Sequence, residues 1–294
     1  MSKWMLAGLG LVLSAGMGHA QTAPRTTSQA TPADRPAAAP IKASKIILVG
    51  DSTTQVLSGW GGSFCAYHVT SFAACVNLAR GGRSTYSYRA EGSWDLALAE
   101  MKTPGFVKTY VLIQFGHNDQ PGKPGRSTDL ATEFPANLRR YVAEARSAGA
   151  EPILLTPLTR RQFKDGKLDR DLEPWSASIR KVAAELNVPL VDLNKRSADA
   201  VEALGPSMAN RFAQVPPVRE VSAAALTGTT IANPTAAAAS PAAPQNNAAV
   251  EPLGDAKLAF DYTHLGPVGA DFFSKMVADE LAVAVPKMRP LLVP

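Results

Sequence analysis

The chain has 294 residues, of which 46% are hydrophobic and 19% are charged, and its formal net charge is +5. This length and apolar content allow a sizeable core in one large or two small domains. The mild positive charge, without runs of lysine and arginine interleaved with aromatic residues, suits an acidic polymer weakly. It gives no reason to expect a nucleic-acid partner.

The first twenty residues have the three-part pattern of a secretory signal peptide. Lys3 supplies the positive charge, residues 4–16 are mostly apolar, and the sequence Gly-His-Ala at 18–20 is a small-x-small cleavage site. The segment is too short to span a membrane with proper flanks. The alternative interpretation is a buried N-terminal helix. We predict cleavage after Ala20, which removes Lys3 and leaves a secreted or periplasmic protein with a charge of +4 and no membrane span.

Two further tracts contain few large apolar side chains. Residues 21–43 are rich in alanine, proline and threonine, which predicts a flexible tether. A similar tract covers about 220–250, and its place between structured segments favours a surface insertion without defined contacts over a linker between domains. We therefore predict a single domain over residues 44–294 that contains this insertion, and we expect it to be a monomer.

Short apolar segments rich in β-formers alternate with segments of helical periodicity. The predicted strands cover residues 45–49, 74–78, 107–115, 152–156 and 189–193, and the predicted helices cover 94–101, 130–148 and 172–186. Near-continuous apolar strands between helices are typical of a parallel sheet that is covered on both faces. We predict an α/β three-layer sandwich with about five mainly parallel strands, in which ligands bind at the carboxyl ends of the strands.

Cys65 and Cys75 are the only two cysteines, ten residues apart, in a chain predicted to be exported. Export favours a disulfide between them, although two free buried thiols remain the alternative. A metal site is not expected, because neither cysteine has a second cysteine or a histidine at ligand spacing.

Ser52 follows the first predicted strand in the sequence Gly-Asp-Ser. As a helix N-cap it would satisfy one backbone amide and do nothing else. A phosphate-binding loop is excluded because no glycine-rich phosphate motif follows. As a nucleophile it would need a base, an orienting carboxylate and donors for an oxyanion elsewhere in the chain. The triplet alone favours capping.

Three other polar motifs supply such partners. The sequence NLARGGRS at 77–84 follows the second predicted strand, QFGHND at 114–119 follows the third, and DYTHL occupies 261–265. With these motifs the chain resembles the SGNH (GDSL-type) hydrolases, and more narrowly the rhamnogalacturonan acetylesterases. The narrower resemblance rests on GDST, GGRSxxSY, FGHND and DxTH, which occur here in family order from residue 45 to the last helix.

The residues also support this chemistry directly. His264 lies three positions after Asp261, so a carboxylate can hold imidazole Nδ1 while Nε2 acts as the base for Ser52. The order Ser, Asp, His without a G-x-S-x-G elbow disfavours the α/β-hydrolase fold. The resemblance implies an oxyanion hole formed by the backbone amides of Ser52 and Gly82 and the side-chain amide of Asn118. Glycine permits close approach of its amide, and asparagine donates without carrying a charge.

The resemblance implies an exported serine esterase that needs no cofactor and removes acetyl groups from a pectic polysaccharide such as rhamnogalacturonan. We predict that Arg83 and His117 bind the substrate, and that Arg83 does so by pairing with uronate carboxylates. His117 is not expected to be a catalytic base, and a structural role that braces its loop is favoured over one. Other arginines are expected at the same edge, although several could simply face water: Arg80, Arg89, Arg160 and Arg161.

Other interpretations of the same motifs remain open. Within the enzyme class, the alternative is an esterase for acetylated xylan or small acyl esters. Outside it, the alternative is a non-catalytic module that binds glycan. Asp51 and Asp119 could be mistaken for the paired carboxylates of a glycosidase, but we expect each to brace its own loop by binding local amides.

Overall fold

The computed structural model describes residues 37–233 and 259–293. The predicted signal peptide lies outside the described residues, as do most of the predicted tether and the later part of the predicted insertion. Residues 37–42 are exposed and have no regular secondary structure. The chain divides into two units, residues 1–41 and 42–294, and the second contains every helix and strand named below.

Five strands form one sheet in the order β2-β1-β3-β4-β7, and each adjacent pair is parallel. Two further strands form a small antiparallel hairpin. The strands are β1 Ser44–Gly50, β2 Ala73–Asn77, β3 Thr109–Gln114, β4 Glu151–Leu155, β5 Phe163–Lys164, β6 Lys167–Leu168 and β7 Leu190–Val191. The α-helices are α1 Gly61–Tyr67, α2 Ser87–Ala90, α3 Ser93–Met101, α4 Glu133–Ser147, α5 Glu173–Glu185, α6 Leu193–Ala209, α7 Arg219–Leu226 and α8 Pro267–Ala284.

Successive residues of the central strands serve two separate cores. Ile46 and Leu48 point to a core that they share with residues of α1, α6 and α8. Ile47 and Val49 point to the opposite core, with residues of α3, α4 and α5. Because β1 is buried along its whole length, residues 46–49 are continuously apolar instead of alternating with polar residues. The predicted three-layer α/β sandwich is confirmed.

The strand order creates a switch point between β1 and β3. From β1 the chain turns to one side to form β2, and it then returns past β1 to form β3 on the other side. Loops that leave β1 and β3 therefore diverge at the carboxyl edge and leave a crevice, which is where sheets of this kind bind ligands. Gly50, Asn77 and Gln114 are the last residues of these three strands.

The three predicted helices match α3, α4 and α5 within three residues at each end. The fifth predicted strand was too long, because only Leu190–Val191 pair with β4 and α6 begins at Leu193. The expectation that the predicted insertion makes no defined contacts does not hold for its first residues. Residues Arg219–Leu226 form α7, in which Val221 is fully buried beside Phe260 and Tyr262. Alanine is a good helix former, so a composition poor in large apolar residues did not preclude an ordered helix.

The structure joins Cys65 at the end of α1 to Cys75 in β2 by a disulfide. Within the described ranges, no helix is long and apolar enough to cross a membrane. The same part of the chain contains no cluster of three or more histidine, cysteine, aspartate or glutamate residues suited to a metal ion.

Candidate active site

Ser52 lies in a tight turn immediately after β1. The Asp51 carbonyl accepts the amides of Thr54 and Gln55 at 3.1 Å, and Asp51 Oδ1 accepts the amide and hydroxyl of Thr53 at 2.9 and 2.8 Å. Asp51 therefore braces this turn, as expected. The turn also requires Gly50, because a Cβ there would lie 2.7 Å from the Gln114 carbonyl oxygen of the neighbouring strand.

The structure brings Ser52, His264 and Asp261 into one hydrogen-bonded chain. His264 Nε2 lies 2.9 Å from Ser52 Oγ, and His264 Nδ1 lies 2.5 Å from Asp261 Oδ2. The Ser52 hydroxyl therefore bonds to an imidazole instead of capping a helix. With Nδ1–H donating to the carboxylate, Nε2 has a free lone pair and can accept the serine proton.

Asp261 is held in its ionised form. Its Oδ1 accepts the amides of Thr263 and His264, each at 2.7 Å, while Oδ2 faces the imidazole. Burial by itself raises the pKa of this carboxyl, but the hydrogen bonds and the charge of His264 outweigh that effect and lower the pKa to about 2. The carboxylate can therefore orient the base and stabilise the imidazolium that forms during proton transfer.

Arg161 supports the turn that carries Asp261 and His264. Its guanidinium is 1% exposed and donates to the backbone carbonyls of Asp261 and His264 at 2.9 Å and of Thr263 at 3.3 Å. Its backbone amide donates to the Tyr262 carbonyl at 2.9 Å. Burial lowers the pKa of Arg161 to about 10, so it remains a cation at neutral pH. The sequence predicted Arg161 only at this edge of the sheet, and no motif indicated the bracing role.

The loops after β2 and β3 meet beside Ser52. The amide of Arg80 donates to the Gly50 carbonyl at 3.0 Å, which fixes the second loop to the end of β1. Gly82 has a φ of +77°, a conformation that favours glycine. Asn118 Nδ2 donates to the Arg83 carbonyl at 3.0 Å and joins the two loops. One hydrogen of the Asn118 amide is used in this bond, and the oxyanion roles of Ser52, Gly82 and Asn118 stay predictions.

The structure contradicts the assignment of Arg83 to substrate binding. Its side chain is 0% exposed, and Nε and Nη2 lie 2.9 and 2.8 Å from Glu91 Oε2. Nη1 donates to the Gly81 carbonyl at 2.7 Å. A guanidinium occupied in this way cannot reach a carboxylate in solution. Arg83 braces the loop of Gly82, because Glu91, eight residues later, supplies a buried partner.

The other arginines of this edge have partners too. Arg89 binds Glu144 through two hydrogen bonds and Arg160 binds Asp171, while Arg80 Nε lies 3.6 Å from Glu91. Arg89 and Arg160 therefore neither face water alone nor await a substrate carboxylate, because each already has a carboxylate partner within the fold.

His117 is also misassigned as a substrate-binding residue, although its expected bracing position is consistent with the structure. It is 3% exposed, and neither ring nitrogen is accessible or hydrogen-bonded among the residues described. Its Nδ1 lies 3.5 Å from Asp51 Oδ2. Burial lowers the pKa of His117. Burial by itself raises the pKa of Asp51, but the neighbouring His117 and the donors of Thr53 outweigh that effect and lower it.

Asp119 is buried behind Asn118 and binds two neighbouring segments. It accepts the amide and hydroxyl of Thr85 at 3.1 and 2.5 Å and the hydroxyl of Thr128 at 3.0 Å. Burial raises its pKa to about 7 in spite of these donors. Asp51 and Asp119 are both 0% exposed, so they cannot act as the paired carboxylates of a glycosidase.

Comparison with known proteins identifies a matching family and two similar relatives. Residues 48–212 match the model of the GDSL-like lipase/acylhydrolase family. A probable rhamnogalacturonan acetylesterase, YesY of Bacillus subtilis (strain 168), is 35% identical over 162 residues, which are 53% of this chain and 72% of the relative. The rhamnogalacturonan acetylesterase RhgT of the same organism is 35% identical over 179 residues, which are 58% of this chain and 74% of the relative.

Solved structures share the fold at low sequence identity. The Bacillus subtilis protein YxiM superimposes with a TM-score of 0.57 and 21% identity over 83% of this chain, which spans only 57% of the YxiM chain. A catalytic mutant of Axe2, an acetylxylan esterase from Geobacillus stearothermophilus, gives a TM-score of 0.51 and 16% identity over 83% of this chain and 96% of that chain. Both likenesses concern the fold alone.

Proposed function

Because the chain belongs to the GDSL-like lipase/acylhydrolase family and is a carboxylic ester hydrolase, we propose that it is an exported serine esterase that removes acetyl groups from a pectic polysaccharide, rhamnogalacturonan. The observation that carries the catalytic part is the chain of hydrogen bonds from Ser52 through His264 to Asp261. Export is supported by the pattern of residues 1–20.

The reaction proceeds in two halves. His264 Nε2 takes the Ser52 hydroxyl proton as Oγ attacks the acetyl carbonyl, and Asp261 stabilises the resulting imidazolium. The imidazolium then donates its proton to the leaving sugar oxygen, which departs as an alcohol. Water attacks the acetyl-serine with His264 again as base, and release of acetate restores the Ser52 hydroxyl. No step needs a metal or an organic cofactor.

The negative charge on each tetrahedral intermediate requires fixed donors. The backbone amides of Ser52 and Gly82 supply two, and the second hydrogen of the Asn118 side-chain amide supplies the third. Their loops are joined by the bonds from Arg80 to Gly50 and from Asn118 to the Arg83 carbonyl, so the donors do not need to reorganise during reaction.

The substrate is supported by the names of the two relatives that are 35% identical, one a rhamnogalacturonan acetylesterase and the other a probable one. Acetylated xylan and small acyl esters are the alternative substrates, and a glycan-binding module is the alternative without catalysis. A module that only binds has no use for a nucleophile hydrogen-bonded to an oriented base.

The test is acetate release by the purified protein from acetylated rhamnogalacturonan, acetylated xylan and p-nitrophenyl acetate. We expect the highest kcat/KM on rhamnogalacturonan and no turnover of any ester by Ser52→Ala. A preference for xylan would overturn the substrate, and turnover by Ser52→Ala at the wild-type rate would overturn the nucleophile. Export is tested by mass spectrometry of protein recovered from the culture medium or periplasm, which should have the mass of a chain that begins at residue 21. Light scattering tests the expected monomer.

A further inference from the structure

A cavity of about 510 Å³ opens beside the loop after β3. Its lining combines an exposed aromatic ring, two basic side chains from a glycine-containing loop and one acidic side chain from the start of α4. The lining residues are Tyr86, Lys123, Arg126, Ser127, Glu133 and the short chain between Gly122 and Gly125. None of these residues belongs to the proposed triad, and no motif in the sequence singled out Lys123 or Arg126.

The cavity adjoins the residues proposed to bind the oxyanion. Arg126 Nη1 lies 3.4 Å from the Gly82 carbonyl oxygen and 3.5 Å from Asn118 Oδ1. A residue of the cavity lining therefore contacts both loops that are proposed to bind the oxyanion. Arg126 connects the two locations.

Positive charge is concentrated here without full compensation. Burial and the charges of Arg160 and Arg126 lower the pKa of Lys123 to about 8, which still leaves the ammonium mostly protonated at neutral pH. Over residues 37–233 and 259–293, the structure gives the Lys123 ammonium no hydrogen-bond or ion-pair partner. The hydrogen bonds of Lys123 belong to its backbone, whose amide donates to Ser127 Oγ and whose carbonyl accepts the amides of Arg126 and Ser127. Arg160 is already paired with Asp171.

The one acidic side chain in the lining does not neutralise this ammonium. Glu133 begins α4, and its Oε2 accepts the Asp129 amide at 3.4 Å. A partly buried ammonium beside two guanidinium groups gains most from an anion that supplies acceptor oxygens. Tyr86, which is 48% exposed, offers an apolar ring face at the same cavity.

We propose that this cavity binds a uronic acid residue of the substrate, with the carboxylate on Lys123 and Arg126 and the sugar ring against Tyr86. The inference rests on the proposed function and specifies how the same site distinguishes an acidic polysaccharide from a neutral one. It also replaces Arg83, which is buried, with Lys123 as the charge that recognises the uronate. Lys123 is partly exposed and its ammonium is unpaired among the described residues.

The experiment compares two substrates that differ only in charge. One is an acetylated rhamnogalacturonan oligosaccharide with free galacturonate carboxylates, and the other is the same oligosaccharide with those carboxylates methyl-esterified. Released acetate is measured for both. We expect the wild-type kcat/KM to favour the free acid by about tenfold or more, the effect of one charge-assisted hydrogen bond. Lys123→Met should abolish this preference, and Lys123→Arg, which keeps the charge, should retain most of it.

Lys102→Met is the matched control. Lys102 is exposed after α3 and precedes β3, at the amino edge of the sheet. We expect this variant to keep the wild-type preference. Three results would overturn the uronate site and leave the esterase proposal intact. The first is equal hydrolysis of both oligosaccharides by the wild type, and the second is an unchanged preference in Lys123→Met. The third is a loss of the preference in Lys123→Arg as large as that in Lys123→Met. Failure to release acetate from either oligosaccharide would overturn the proposed substrate and the uronate site together.

Discussion

Replacement of Arg83 by methionine tests whether this residue supports the catalytic loop or contacts the substrate. The Arg83 side chain is 0% exposed, and its guanidinium binds Glu91 and the Gly81 carbonyl. Methionine preserves most of the apolar stem of this side chain but removes the guanidinium. Among the described residues, the Glu91 carboxylate would then keep the Ser93 hydroxyl at 2.5 Å and the more distant Arg80, 3.6 Å away. A buried carboxylate would therefore lose its closest cation.

Removal of one partner of a buried ion pair destabilises a protein by about 3–5 kcal/mol, and the remaining Arg80 places the expected loss near the lower value. Urea unfolding at pH 7 measures it as a shift of the midpoint at unchanged slope. The control is Arg140→Met, since Arg140 is 66% exposed in its pair with Glu144 and its loss should cost less than about 1 kcal/mol.

Activity provides the second measurement for Arg83→Met. Because Arg83 holds the Gly82 loop and its carbonyl holds Asn118, kcat/KM should fall by the same factor on p-nitrophenyl acetate and on acetylated rhamnogalacturonan. Two results would refute this reasoning. One is a free energy of unfolding that stays within about 1 kcal/mol of the wild type. The other is a loss of activity confined to the polysaccharide.

Substitutions at three further residues test other parts of the site. Asn118→Ala should lower kcat by about 10²–10³ with little change in KM, and a pure KM effect in steady-state kinetics would make Asn118 a binding residue instead. Arg161→Met should lower kcat at least about tenfold, because misplacement of catalytic groups is costly, and Arg161→Lys should recover part of the rate; unchanged kcat would contradict the bracing role. Since burial raises the pKa of Asp119 to about 7 from 3.8, the folded state binds more protons than the unfolded state between these values, and wild-type stability should fall as pH rises from about 4 to 7. Asp119→Asn should remove that slope in urea unfolding, and identical slopes would disprove the assignment.

The sequence by itself determined the architecture and the candidate catalytic residues. Continuous apolar strands between helices of period 3.6 can be buried only in a covered parallel sheet, so the positions of β1, β3 and β4 followed from local composition. The reacting groups were equally accessible, because Ser52, Asp261 and His264 each belong to a short motif. The structure places them within hydrogen-bond distance, as the spacing of Asp261 and His264 had indicated.

Only the tertiary structure decided what the arginines do. An arginine in a polar loop has the same local sequence whether it faces solvent or a buried carboxylate, and the outcome depends on which partner the fold brings to it. Arg83 pairs with Glu91, and Arg161 donates to the carbonyls of the turn at 261–264. Lys123 remains partly exposed near two guanidinium groups. The role of a charged side chain depends on neighbours that are distant in sequence. The sequence therefore shows where the charged residues are, but not which groups they pair with.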